Sequence, residues 1–222
     1  MTDANPGATR PQVASWRLIS TLAVAGALAG LAIVFVHQWS EPRIQAHRAA
    51  ALREAIQEVL GGPTSYRTLW VADGRLTDVL PAGADSTEID RVYVGDDASG
   101  AALGFAIEGE RPGYQDVVGL IFGFDAGRGE VIGMKVLESK ETPGLGDKIE
   151  KDSTFLAAFR GVGTPLLGVK PGAGRGEPGE VDMITGATIS SRTVIDIINE
   201  RLEVLLPLIE AYAAAPTDGD GP

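Results

Sequence analysis

Residues 18–36, LISTLAVAGALAGLAIVFV, run for nineteen positions without a charged side chain, and no polar face interrupts them at helical spacing. A helix of that length spans about 28 Å, close to the hydrocarbon thickness of a bilayer. The pattern predicts a transmembrane helix over 18–37. Trp39, just beyond it, suits the headgroup level. A cleaved signal peptide is the rival reading, although its apolar region is usually shorter and ends at a small-residue cleavage site. Gly26 and Gly30 have the spacing that lets a second helix approach closely, or stand there incidentally in an Ala- and Gly-rich span. Arg10 and Arg17 precede the span and Arg43, Arg48 and Arg53 follow it, so charge alone leaves the orientation open.

Beyond the span the period changes. Ile44, Leu52, Ile56, Val59 and Leu60 recur near helical spacing with Arg48, Arg53, Glu54 and Gln57 between them. With Pro42 in a first turn and Gly61, Gly62 and Pro63 as terminators, this predicts an amphipathic stalk helix over 41–62. Its apolar stripe is expected to pack on the following domain, with a partner subunit as the alternative. From residue 65 the chain breaks into short β-prone runs: SYRTLWV, IDRVYVG, AALGFAIEG, VVGLIFGFD and EVIGMKVLES. DDASG at 96–100 and DAGRG at 125–129 supply turn residues, so neighbouring strands should pair antiparallel. Helices are expected at 147–159 and at 190–213, where Val194, Ile195, Ile198, Leu202, Leu205, Leu206 and Ile209 form a broad apolar face. Strands grouped ahead of a closing helix predict an α+β fold, an antiparallel sheet packed with helices. The domain plan is an N-terminal segment over 1–17, the membrane helix, the stalk, a folded domain over 63–213 and a disordered tail over 214–222.

Composition narrows the chemistry. The 222 residues are 44% hydrophobic, enough for a core, and 19 basic against 30 acidic residues give a formal net charge of −11. That balance, without a basic stripe, argues against nucleic acid as a partner. Cysteine is absent, which removes thiolate iron–sulfur ligation, c-type haem attachment, disulfides and cysteine nucleophiles together. His37 and His47 are the two histidines, both close to the apolar span, so a His-rich metal site or a Ser-His-Asp triad is not expected. Redox chemistry in this chain therefore needs an organic cofactor.

Two motifs offer a place for one. ETPGLG, residues 141–146, leaves a strand and enters a turn: Pro143 before Gly144 suits a positive φ at the glycine, and Gly146 lets backbone approach a bulky ligand. Standing alone, that motif is a weak signal, and a turn without function is the better explanation of it. VDMITGATISS, residues 181–191, places Thr185, Gly186, Ala187, Thr188, Ser190 and Ser191 at the start of a helix, where free N–H groups and a positive dipole end suit a phosphate. A bare hydroxyl cluster there would otherwise be read as capping. The spacing D-x-x-[ST]-G-A-T, from Asp182 to Thr188, decides between these readings, since it arises by chance in roughly one chain of this length in a few thousand.

That pattern resembles the recognition sequence of proteins to which a flavin transferase attaches FMN through its phosphate to the last Thr. ETPGLG resembles the second signature of the same FMN-binding domain. One membrane helix, an EPRI-type stalk, ETPGLG and VDMITGATISSRTV before a long helix together resemble, over nearly the whole chain, the G subunit of the Rnf electron transport complex. The Nqr C subunit is related but typically longer. The resemblance implies covalent FMN on Thr188, with the loop of Glu141, Thr142, Pro143, Gly144, Leu145 and Gly146 along the flavin ring. Thr185, Gly186, Ala187, Ser190 and Ser191 would surround the attachment, and Asp182 would mark it for the transferase. It further implies a single-pass protein of the inner membrane with its domain on the extracytoplasmic side. Its neighbours would be other Rnf membrane, flavin and iron–sulfur subunits, with membrane lipid around the helix. The chain would be a redox relay within a ferredoxin:NAD oxidoreductase coupled to ion movement, not an enzyme alone. A membrane-tethered FMN-binding sensor or accessory module, and a stand-alone extracytoplasmic flavin reductase, use the same motifs and stay open as alternatives.

Overall fold

A computed structural model describes residues 15–86 and 89–215. Residues 1–14 of the segment expected over 1–17, and residues 216–222 of the tail expected over 214–222, lie outside the described residues, whereas 15–17 and 214 are helical. The chain divides into two units, 1–50 and 51–222. Helix α1, Ser15–Val59, contributes to both. In the first unit it contains an 18-residue window of mean hydropathy 2.4, none of it buried, long and apolar enough to cross a membrane.

The break expected between an anchor ending at 37 and a stalk starting at 41 is not present. Residues 38–40 are helical and Pro42 lies inside α1 instead of in a first turn. A proline removes one N–H from the ladder, but the Ala-rich AHRAAALREA that follows favours continuing the helix, so the interruption is tolerated. The folded unit also starts earlier than residue 63. Ala55, Ile56, Val59 and Leu60 are buried and belong to the core. The chain leaves α1 through Gly61 and Gly62, at φ 73° and 86°, a left-handed exit that glycine makes without strain.

The second unit is built on a seven-stranded antiparallel sheet. Its strands are β1 (Ser65–Ala72), β2 (Arg75–Thr77), β3 (Arg91–Asp96), β4 (Ala102–Pro112), β5 (Val117–Asp125), β6 (Glu130–Glu138) and β7 (Val162–Gly163), in the order β2-β1-β3-β4-β5-β6-β7. The hairpins expected at 96–100 and 125–129 join β3 to β4 and β5 to β6. Both faces of the central strands are covered, and the two-residue side-chain period sorts their residues. Val92, Val94, Phe105, Ile107, Leu120, Phe122 and Phe124 join one core with Val194, Ile198, Leu202 and Leu205 of helix α4 (Thr188–Ala214). The residues between them, Tyr93, Ala106 and Ile121, join Ala55, Ile56, Val59 and Leu60 at the end of α1 in a second core. The stalk's apolar stripe thus packs on the domain from residue 52 onward. Lys135 on β6 adds ion pairs to Glu58 at 2.7 Å and Glu54 at 3.1 Å, and the hydrogen bond to Glu58 leads in raising the lysine pKa.

Between the sheet and α4 the helix expected at 147–159 is split into α2 (Lys148–Lys151) and α3 (Ser153–Ala157). Asp152 makes the break: it is extended at ψ 103°, and its carboxylate accepts the N–H groups of Thr154 and Phe155 at 2.9 and 3.2 Å. A capping carboxylate there starts a new helix in place of continuing the old one. Strands β8 (Leu167–Val169) and β9 (Glu180–Asp182) form a parallel pair that leads into α4. The sequence pattern does not predict β2, β7, β8 or β9, because two or three residues are too few to show a period.

Candidate functional site

The segment 181–191 is held from beneath. Val181, Met183, Ile184 and Ala187 are buried, whereas Asp182, Thr185, Gly186 and Thr188 face outward. Gly186 has φ 84°, and this left-handed turn brings Ala187 into position as the N-cap of α4. Alanine offers no side-chain oxygen, and no side chain caps the helix. The first intrahelical bond runs from Ser191 N–H to Ala187 O at 2.8 Å. The N–H groups of Thr188, Ile189 and Ser190 have no partner among the described residues. Thr188 is therefore the first residue of a 27-residue helix, with an exposed hydroxyl that bonds nothing among the described residues, at a helix end whose donors are unspent.

The neighbouring serines are used differently. Ser190 is buried and donates its hydroxyl to Glu141 Oε2 at 2.8 Å. Ser191 is fully buried, and its Oγ accepts the Ile184 N–H at 3.1 Å. Neither caps α4: one ties the helix to the ETPGLG loop, the other ties it to the strand arm before it.

In the 141–146 loop, Leu145 N–H bonds Thr142 O at 3.1 Å around Pro143 and Gly144, the latter at φ 78°. This is the Pro-Gly turn that the residue order predicts. Glu141 at its start is 5% exposed. Its Oε1 accepts the N–H groups of Tyr114 and Gln115 at 2.8 and 3.1 Å, while Oε2 takes the Ser190 hydroxyl. Thr142 adds a hydrogen bond from its hydroxyl to Gln115 Oε1 at 2.9 Å. Gly146 has no room for a side chain: a Cβ there would lie 2.5 Å from Glu141 Oε2 and 3.0 Å from Ser190 Oγ. On the outside, a Cβ on Gly186 would stand 3.9 Å from Leu145 Cδ2. The two motifs, some 40 residues apart in sequence, are thus brought together on both sides of Ser190.

Asp182, at the end of β9, is exposed and accepts the Gly172 N–H at 3.4 Å. It lines a cavity of about 840 Å³ together with Lys148, Phe155, Gly172, Ile184 and Thr185. The rim is a glycine-rich loop, residues 170–179, held by Glu180, whose Oε2 accepts the N–H groups of Arg175, Gly176 and Glu177 at 2.7–3.2 Å. Asp147, next to Lys148 in the chain, is held below the usual carboxylate range, first by its hydrogen bond with Lys151. No group of three or more His, Asp or Glu placed to hold a metal occurs among the described residues.

Sequence reasoning missed the turn from Gly113 to Asp116, closed by Gly113 N–H to Asp116 O at 2.8 Å. Gly and Asp at its ends signal a turn in the sequence. Nothing in GYQD signals that Glu141 reaches it.

This geometry suits an FMN phosphate. Uncapped helix donors beside an outward hydroxyl, with small residues before it, favour an anion such as a phosphate at this helix start.

Residues 113–203 match a family described as FMN-binding domain. That stretch takes in the Gly113 turn, the Glu141 loop and the start of α4. The G subunit of the ion-translocating oxidoreductase complex of Haemophilus influenzae is 31% identical over 159 residues, 71% of this chain and 73% of its own length. The corresponding G subunit of Methanosarcina acetivorans is 27% identical over 190 residues, 84% of this chain and 92% of its own length. The crystal structure of Shewanella oneidensis NqrC superposes with a TM-score of 0.64 over 75% of this chain and 99% of that one, at 17% identity. The last comparison concerns the fold alone, and it agrees with an α+β sheet closed by a long helix.

Proposed function

The chain belongs to the family of G subunits of ion-translocating oxidoreductase complexes, and from that membership we propose that it is a covalent-FMN electron relay within such a complex. The observation that carries the proposal is Thr188, an unpaired, exposed hydroxyl at an uncapped helix start, two residues from the serine that Glu141 holds. Attachment forms a bond from Thr188 Oγ to phosphorus. The hydroxyl proton is lost, and the leaving group of an activated flavin phosphate, brought by a flavin transferase, departs with the bonding electrons. Thr188, Ile189 and Ser190 present N–H groups toward the phosphate charge, and the helix dipole adds to them. Bound FMN supplies one- and two-electron transfer, and the protein positions it and tunes its potential.

Glu141 to Gly146 form the wall next to the attachment point, and Asp182 is the recognition residue for the transferase. Asp182 is exposed and, among the described residues, its side chain makes only a long bond to Gly172, so its loss is expected to leave the fold intact. Asp182→Ala is accordingly expected to fold normally but to carry covalent flavin at well under half of the wild-type level in a denaturing gel. Full loading would show that the transferase does not read this carboxylate.

Mass spectrometry of the peptide containing Thr188 tests the central claim. The expected result is one added FMN phosphoryl mass on Thr188, and an unmodified peptide from cells that express the transferase would overturn it. The complex is read as ferredoxin:NAD oxidoreductase coupled to ion movement, with the domain outside the cytoplasm. Copurification with iron–sulfur and other flavin subunits tests the first part. Sidedness can be read by Ser99→Cys: the chain has no cysteine of its own, and Ser99 is exposed on the β3–β4 hairpin. An impermeant thiol reagent is expected to label it once the outer face of the inner membrane is accessible. Labelling only after lysis would place the domain on the cytoplasmic side.

A further inference from the structure

A single carboxylate joins three segments of this domain. Glu141 accepts hydrogen bonds from the 113–116 turn through Oε1 and from α4 through Oε2, while its own backbone begins the 141–146 loop. Glycines keep the space for it: a Cβ on Gly146 would sit 2.5 Å from Oε2, and a Cβ on Gly113 would run into Oε1. The turn at 113–116 is tethered again from outside. Thr142 reaches Gln115, Lys140 Nζ lies 3.2 Å from Asp116, and Asp116 accepts the Val117 N–H at 2.8 Å.

Despite that tethering, the side chain at the tip of the turn is in water. Tyr114 is 68% exposed. A lone exposed tyrosine has no special meaning. This one is set apart because each of the three segments that Glu141 joins carries a large apolar side chain more than half exposed: Tyr114 on the turn, Leu145 at 51% on the loop and Ile189 at 55% on α4. Ile189 adjoins Thr188. A flat tricyclic ring fixed at Thr188 needs apolar contact on its faces, and an aromatic side chain on a rigid backbone supplies it at little entropic cost.

We propose that Tyr114 lies against the flavin ring borne by Thr188, and that Glu141 is the residue that positions it there. This rests on the covalent-FMN reading above. Glu141 is a positioning residue, since its oxygens are taken up by protein donors. Tyr114 is the contact.

The test uses the full-length, flavinylated protein in detergent, with native flavin emission expressed per mole of covalent flavin counted after unfolding. A stacked phenol quenches flavin emission by donating an electron to the excited ring, so Tyr114→Ala is expected to brighten the native protein about threefold or more. Tyr114→Phe stacks but donates poorly. It should brighten similarly while its flavin fluorescence anisotropy stays at the wild-type value, whereas Tyr114→Ala lowers it. Glu141→Ala strands two N–H groups and is expected to brighten emission as Tyr114→Ala does. Glu141→Gln keeps an oxygen for both N–H groups and offers its amide to Ser190 Oγ, so it should restore quenching. Unchanged emission in a fully loaded Tyr114→Ala protein overturns the proposal, as does Glu141→Gln behaving like Glu141→Ala while both are folded and loaded. Wild-type protein lacking FMN mass on Thr188 overturns the covalent reading and this proposal with it. FMN on Thr188 with unaltered emission in the Tyr114 variants overturns this proposal alone.

Discussion

With valine at position 188, the full-length chain is expected to fold and reach the membrane but to show no flavin fluorescence in a denaturing gel. Valine keeps the β-branched shape of threonine and removes only the hydroxyl. That hydroxyl is exposed and makes no hydrogen bond among the described residues, so its removal leaves no buried group unpaired. The stability change should stay within about 0.5 kcal/mol, as for most surface substitutions. The effect on attachment, by contrast, is complete, because valine has no atom that can form a bond to phosphorus. Thr188→Ser retains an oxygen on a less restricted χ1 and is expected to carry flavin at a reduced level. A Thr188→Val band that keeps flavin fluorescence would move the anchor to another hydroxyl. The structure names the next one along: Thr185 is exposed, whereas Ser190 and Ser191 are buried and committed to Glu141 and Ile184.

The order TGATISS shows a helix start and an array of hydroxyls, but not which of them face inward. The helical period answers only in part, since Ser190 and Ser191 are adjacent and both are buried. Ser190 is drawn in by a carboxylate 49 residues earlier, and no local pattern announces that partner. The same limit hides the 113–116 turn, which Glu141, Thr142 and Lys140 hold from 24 or more residues further along the chain. The main strands are legible because each is long enough to show apolar runs between turn residues. Asp152 does not stand out as a break, because one capping carboxylate competes with a helical period that continues across it. Pro42 misleads in the opposite direction. A proline suggests a boundary, and its neighbours carry the helix through it.

Gly123→Ala is expected to destabilise the folded domain strongly. VVGLIFGFD contains two glycines, Gly119 and Gly123, which the sequence does not distinguish. Strand register does. Gly123 pairs with Gly133 on β6 and with Ala106 on β4, and Gly95 pairs with Gly104, so small residues line a trough across β3 to β6. The end of α1 lies in it. A Cβ on Gly123 would run into the carbonyl oxygen of Val59 and come within 2.9 Å of its carbon, and both are backbone atoms that no rotamer change can move. A Cβ on Gly95 or Gly104 would meet the Leu60 or Ile132 side chain at 2.5 and 2.7 Å, although Gly104 would also meet the Phe124 carbonyl oxygen at 2.8 Å. A Cβ on Gly119 meets nothing closer than 3.7 Å. Overpacking against backbone costs about 2–3 kcal/mol, which for a domain of this size lowers the melting temperature by roughly 5–10 °C. Gly119→Ala is the control and should melt within a degree or two of wild type by the same scale. The two variants differ by one methyl group at positions four residues apart on one strand, so thermal melts of the detergent-solubilised chain isolate the seat of α1 on the sheet. Equal melting temperatures would mean that residues 52–60 are not held in this trough. If the order holds, the glycine stripe is what lets the last turns of the helix lie flat on the sheet face opposite α4, and a helix continuous from residue 15 to residue 59 then ends as part of the domain's own core.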